Sequence, residues 1–225
     1  MTDSPLHDIN NINITFHSRM MMNKKILTVF MTLLFAFSAQ AQTMRSLWIA
    51  MPDSLIPYLN ASVRTSMIDM MGSGMDTNNL LSGQSRIDTL TADYLKATLT
   101  EASAVEMKRF KTLLGDSAIA VVSTLYGPEP ESRLDFYSTS WQLLAANIPV
   151  NAAIQRPDTM DEDTYETLRL MIDPEIQAYH LSPGNAMVAA SYSLPMLSEA
   201  EKKRVGAILQ EKKYNLADLL LKEVK

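Results

Sequence analysis

The chain has 225 residues, of which 47% are hydrophobic and 20% charged, with seven glycines, ten prolines and no cysteine. These proportions fit a globular chain with a true apolar core. They exclude a collagen-like repeat, a disulfide-stapled mini-protein, thiol catalysis and thiolate metal sites. A net charge of −5 gives an extended nucleic-acid surface no compositional support.

The first expected element is an address. Asn23-Lys24-Lys25 is a basic stretch, Ile26 to Phe37 is a 12-residue apolar or Thr-containing run, and Ser38-Ala39-Gln40-Ala41 supplies an A-x-A site. These three parts make a secretory signal cleaved after Ala41, and its apolar run is too short to span a bilayer as a helix. Met20-Met21-Met22 stands directly before the basic stretch, so translation is expected to start there and not at Met1. Residues 1–41 are thus read as an upstream extension and removed signal, and 42–225 as a single domain. That domain is exported to the periplasm or the cell exterior. No cysteine follows the cleavage site, so a lipoprotein anchor is not expected, and no second long apolar run predicts a transmembrane helix. Packing alone must then stabilise the domain.

From Gln42 to Met71 the pattern is helical with a proline-opened break at Met51-Pro52-Asp53-Ser54 and Pro57. Asn60 is the expected cap of the second piece, with Val63, Met67, Met70 and Met71 as a core stripe and Gly72-Ser73-Gly74 as its end. Antiparallel sheet is expected from Ser85 to Trp141. Leu95, Ala97 and Leu99 alternate with Lys96, Thr98 and Thr100, and Val105 and Met107 alternate with Glu106 and Lys108, which implies one wet face. Ala118 to Tyr126 is apolar on both faces and belongs inside the sheet. It pairs through Gly127-Pro128-Glu129-Pro130-Glu131-Ser132 with the run Arg133 to Trp141.

Leu143 to Asp158 is expected to be loop. A helix should begin near Asp161, carry Tyr165, Leu168, Met171 and Ile172, and stop at Pro174. Glu175–Leu181 and Met187–Leu194 form a second expected hairpin. Ser198 and Glu201 form a capping box whose helix should run to about Gln210. Asn215 to Val224 suits either a helix or a closing strand. The two hairpin stretches also echo each other at an offset of 69 residues, with Glu106, Phe110 and Gly115 facing Glu175, Tyr179 and Gly184. Either a duplicated hairpin unit or shared patterning rules would produce that echo.

Three stretches carry a family resemblance. They are Met44 to Asn60, which includes Met51-Pro52-Asp53-Ser54-Leu55, Ser85 to Leu95, and Tyr126-Gly127-Pro128 with Ser132 to Tyr137. Together they resemble an uncharacterised family of exported Bacteroidales proteins, catalogued as a domain of unknown function, over essentially the whole chain after the leader. The resemblance implies export from a Gram-negative cell and one small domain. It implies no activity and no catalytic or binding residue.

The residues themselves supply mostly absences. After the leader His180 is the one histidine, so a zinc site of several His or Cys ligands is not expected, and a Ser-His-Asp triad could use only His180. There is no Gly-x-Ser-x-Gly elbow, P-loop or dinucleotide glycine pattern. Asp158, Asp161, Glu162 and Asp163 lack the spacing and glycine of a calcium loop and suit the positive end of a helix dipole. Trp48 and Trp141 are too few aromatics for a sugar cleft by composition, and Trp141 is expected in the core. Tyr126, Tyr137, Tyr179 and Tyr192 suit a half-buried sheet or a contact surface. Lys202-Lys203-Arg204 and Lys212-Lys213 read as solvated faces.

The expected fold is α+β: an antiparallel sheet built from hairpins, with helices packed on one face. The expected role is a non-enzymatic exported module for a protein, peptide or apolar ligand, with no cofactor, metal, nucleic-acid partner or transmembrane helix. A hydrolase assembled only in three dimensions, or a structural subunit of an envelope assembly, is the alternative. His180 within reach of both a serine and a carboxylate would mark the hydrolase.

Overall fold

The computed structural model describes residues 42–172 and 175–223. The leader expected at 1–41 and the helix stop expected at Pro174 lie outside the described residues.

Thr43 opens α1 (Met44–Ala50) by accepting the Ser46 N–H on its side chain at 3.2 Å. Asn60 opens α2 (Ala61–Asp69) in the same way, accepting the Val63 N–H at 3.0 Å. Between them, the proline-containing segment 51–59 is held from within by Arg64, whose side chain is 1% exposed. Its guanidinium donates to the carbonyls of Ile49 at 3.1 Å, Met51 and Leu59, and pairs with Asp53 at 3.0 Å. A planar fork of five donors can bridge these separate carbonyls where a lysine could reach one. Of the expected stripe on α2, Met67 is buried and Val63 half-buried, but Met70 and Met71 are exposed. The helix ends at Asp69, and Gly72, at φ +85°, turns the chain away before those two can face the core.

Seven strands then run as an antiparallel meander in chain order: β1 (Thr77–Asn78), β2 (Gln84–Leu90), β3 (Tyr94–Thr100), β4 (Ser103–Lys111), β5 (Ser117–Tyr126), β6 (Pro130–Ser138) and β7 (Leu143–Ala145). The stretch expected as loop thus holds the edge strand β7 and also β8 (Ala153–Ile154). Asp161 caps α3 (Glu162–Leu170). The second hairpin is β9 (Ile176–Leu181) and β10 (Met187–Ser193). The capping box opens α4 (Glu199–Val205), which Gly206 ends sooner than expected. β11 (Leu209–Gln210) pairs with β8. The ambiguous C-terminal stretch is helix: β12 (Lys212–Asn215) pairs with β10, and α5 (Leu216–Glu223) follows directly. Under the 69-residue offset the pair Phe110↔Ala118 would map to Tyr179↔Met187, whereas Tyr179 pairs with Ala190, so the two hairpins do not share a register.

The architecture is α+β around a large antiparallel sheet. On one face, Leu95, Ala97, Met107 and Ile119 pack against Met44, Leu47 and Trp48 of α1 and Met67 of α2. The other face packs Phe110, Ala120, Val122 and Phe136 against Tyr179, Leu181 and Val188 of the three-stranded sheet β12–β10–β9 and against Leu216 and Leu220 of α5. Each large apolar side chain removed from water here contributes about 1.5–3 kcal/mol. A smaller cluster joins Leu168 and Ile172 to Val205 and Ile208.

The second sheet corrects one expectation. Glu106 and Lys108 do not lie on a wet face; they are 5% and 2% exposed. Alternation records only polarity, and the strands that cover this face arrive about seventy residues later.

Candidate functional site

The buried charges on β4 reach across to the second sheet. Glu106 accepts the Leu181 N–H at 2.8 Å on Oε2, while Oε1 meets His180 Nδ1 at 3.2 Å and Lys96 Nζ at 3.4 Å. Burial alone would push the Glu106 carboxyl up. The hydrogen bonds from His180 and Leu181 and the charge of Lys96 overcome that and hold it below its ordinary value. Burial, reinforced by the Glu106 charge, pushes the neighbouring Tyr94 phenol up. Two residues along, Lys108 donates to the Pro183 carbonyl at 2.7 Å and pairs with Asp93 at 2.9 Å. Both charges therefore fasten the β9–β10 hairpin to the large sheet.

His180 thus meets one half of the hydrolase condition. It has a carboxylate partner that orients its ring, and its side chain is half-exposed, but it makes no hydrogen bond to a serine among the described residues. A base oriented by a third group needs a nucleophile in reach before the constellation can attack an acyl group. The pair is accounted for as a clamp between sheets.

The other singled-out residues take structural positions. Asp161 caps α3 through the Thr164 N–H at 2.8 Å and its hydroxyl at 2.8 Å; those bonds hold its carboxyl below its ordinary value. Glu162 pairs with Arg156, and among the described residues no three His, Cys, Asp or Glu side chains converge on a metal-sized site. Trp48 is fully buried and donates to the Arg64 carbonyl at 3.3 Å. Trp141 is half-buried against the helical core and donates to the Leu47 carbonyl at 3.2 Å. Tyr137 and Tyr179 are buried, with the Tyr179 hydroxyl accepting the Val150 N–H, while Tyr192 is half-buried and Tyr126 is exposed. Lys202 bridges Glu129 at 2.5 Å and Glu199 at 2.8 Å, and Lys212 lies 5.1 Å from the Tyr214 ring centre. No helix among the described residues is long and apolar enough to cross a membrane.

What the singled-out residues do not include is an apolar groove of about 440 Å³ at one end of the large sheet. Its walls are the β4–β5 turn, with Leu113 and Leu114, and α5, with Leu220 and Leu221; Leu144 of β7 closes one side, and Ala118 and Ala217 leave room between them. Leu113 is 57% exposed and Leu114 85%, and Leu143 and Leu144 on the adjacent edge strand are also open to solvent. Asp116 is the one charged residue in the lining. A signal for it was present in the sequence: Leu113-Leu114 occupies a hairpin tip, just before Gly115 at φ +91°, where polar turn residues are the rule.

A family model described as "Protein of unknown function (DUF3256)" matches residues 36–217. Among solved structures, a domain of an uncharacterized protein from Porphyromonas gingivalis W83 is similar, with a TM-score of 0.62 and 21% sequence identity over 78% of this chain and 95% of that one. That likeness is one of fold. No curated protein matches.

Proposed function

As the chain belongs to the DUF3256 family, a protein family of unknown function, we propose its role from its own surface: an exported, non-catalytic module that binds a small apolar ligand. The groove between the β4–β5 turn and α5 carries this reading. At about 440 Å³ it lies within the size range of small-molecule sites, and its lining is mostly leucine and alanine with a polar edge at Thr112, Ser117, Ser138 and Thr139. The exposed leucines around it are few, Leu113, Leu114, Leu143 and Leu144, and they gather at the mouth of a recess of ligand size. A recess of this size favours a small ligand over a protein partner. Export is supported by the basic, apolar and A-x-A segments before Gln42.

Native mass spectrometry of the protein gently recovered from its producing cells tests the reading. A bound mass that disappears in Leu144→Asp and Leu114→Asp supports the groove as its seat. A bare protein that also takes up no apolar probe refutes it. An N-terminus at Gln42 in the recovered product tests export.

A further inference from the structure

We infer that a second cleft, between the Met51–Asn60 segment and the floor of β4, β5 and β6, binds a neutral polyol of the saccharide class. This does not rest on the apolar groove, which lies elsewhere on the sheet. The cleft holds about 350 Å³. Strand register assembles its floor: Ser103, Leu125 and Glu131 stand opposite one another in one row, and Ser123 and Arg133 in the next row on the same face. Tyr58 walls it, with its hydroxyl 3.5 Å from Ser103 Oγ.

Three features select the ligand class. First, β4 and β5 are interior strands and β6 joins β7 only from Phe136 on, so what the cleft offers a ligand is a sheet face, read through its side chains. Second, the lining mixes apolar side chains such as Leu55, Pro57 and Leu99 with the hydroxyls of Ser103 and Ser123, which donate and accept, beside one donor-only guanidinium and one acceptor-only carboxylate. The two opposite charges select against a net-charged ligand and suit a rim of hydroxyls. Third, the half-buried Tyr58 ring and the 65% exposed Leu125 offer apolar surface to the C–H faces of a ring, so the platform that composition denied to the two tryptophans falls to a tyrosine and a leucine.

The site is also built before any ligand arrives. Arg133 Nε sits 2.9 Å from Asp135, a carboxylate 3% exposed that also accepts the Asn147 N–H at 2.9 Å, while its terminal nitrogens bond no described residue. Arg64 fixes the opposite wall through the carbonyls of Met51 and Leu59. Such preorganisation reduces the ordering cost of binding.

The experiment is a titration of isotopically labelled protein with maltohexaose, cellohexaose, xylohexaose and mannohexaose, read by amide shifts. With at least one of them at about 10 mM, the amides of Tyr58, Ser103, Ser123 and Arg133 are expected to move, as for a weak site. Arg133→Met and Ser123→Val should each weaken that response about tenfold, near 1.4 kcal/mol; Ser123→Val keeps the parent melting temperature, whereas Arg133→Met also lowers it because the buried Asp135 carboxylate loses its cationic partner. Unmoved amides with all four sugars overturn the proposal, as does a response that both variants leave intact.

Discussion

Glu106 and Leu181 join the two sheets: a carboxylate on the large sheet accepts the backbone N–H of a strand in the small one at 2.8 Å, in a place almost closed to water. Without that acceptor the N–H would be buried and unpaired, which is costly in a protein interior. Lys108, two residues along the same face of β4, does the complementary task by donating to the Pro183 carbonyl. The hairpin is held by one acceptor and one donor from a single strand.

Replacing Glu106 by leucine is expected to destabilise the fold by about 1–3 kcal/mol, because the Leu181 N–H loses its partner. Glu106→Gln keeps an acceptor and should cost less. Urea unfolding of both variants checks the order, and equal losses would mean that volume, not hydrogen bonding, sets the cost.

The same carboxylate sets an acid limit. Its folded-state pKa lies below the ordinary 4.5, so the folded form binds its proton less readily than the unfolded chain does. The stability this contributes is complete above the unfolded value and is lost as pH falls through the folded one. Stability measured from pH 7 down to about 3 should therefore fall less steeply in Glu106→Gln than in the parent. Asp93 and Asp161, also held low by their partners, remain in both proteins and cancel in the comparison.

Lys108→Met tests the donor half of the clamp. Asp93 is 44% exposed and water can replace its partner, but the Pro183 carbonyl loses a charged donor. A loss of about 1–2 kcal/mol is expected, with faster hydrogen exchange at Val188 and Ala190 on β10 and little change on β2 and β3. Uniform acceleration throughout the sheet would show that Lys108 serves the whole core instead.

How much of this was readable depends on the range of the interactions. The Asn60 cap and the Ser198–Glu201 box were legible because a side chain and a backbone N–H three residues away decide them. The hairpins were legible because alternation and turn residues lie within a dozen positions. Glu106 and Lys108 were not, since their alternation with Val105 and Met107 says nothing of the strands that later cover them. The groove was less legible still: Leu113 and Leu114 could be seen as odd for a turn, but its other wall, α5, lies about a hundred residues on.

Arg64 gives the sharpest test of the segment between α1 and α2. Its guanidinium bonds three carbonyls while almost wholly buried, so Arg64→Lys keeps the charge yet cannot span them. A loss of about 2–4 kcal/mol is expected, in the range for breaking a buried polar network. Trp48 fluorescence, read in a Trp141→Phe background, provides a local readout, because its indole donates to the Arg64 carbonyl. Parent-like stability and fluorescence in the lysine variant would show that the proline-containing segment holds its own shape.

The apolar groove predicts opposite responses from binding and stability. Leu114 is 85% exposed, so Leu114→Asp removes little packing and should change stability by no more than about 0.5 kcal/mol. Its wall, however, loses an apolar surface and gains a second carboxylate beside Asp116. An apolar ligand at a hundred times its Kd stabilises the parent by about 2.7 kcal/mol. That increment should shrink or vanish in Leu114→Asp, and a thermal-shift series with a saturated alcohol as probe measures it. An unchanged increment would place the probe outside the groove, whereas a collapse of the unliganded fold would make Leu114 a core residue despite its exposure.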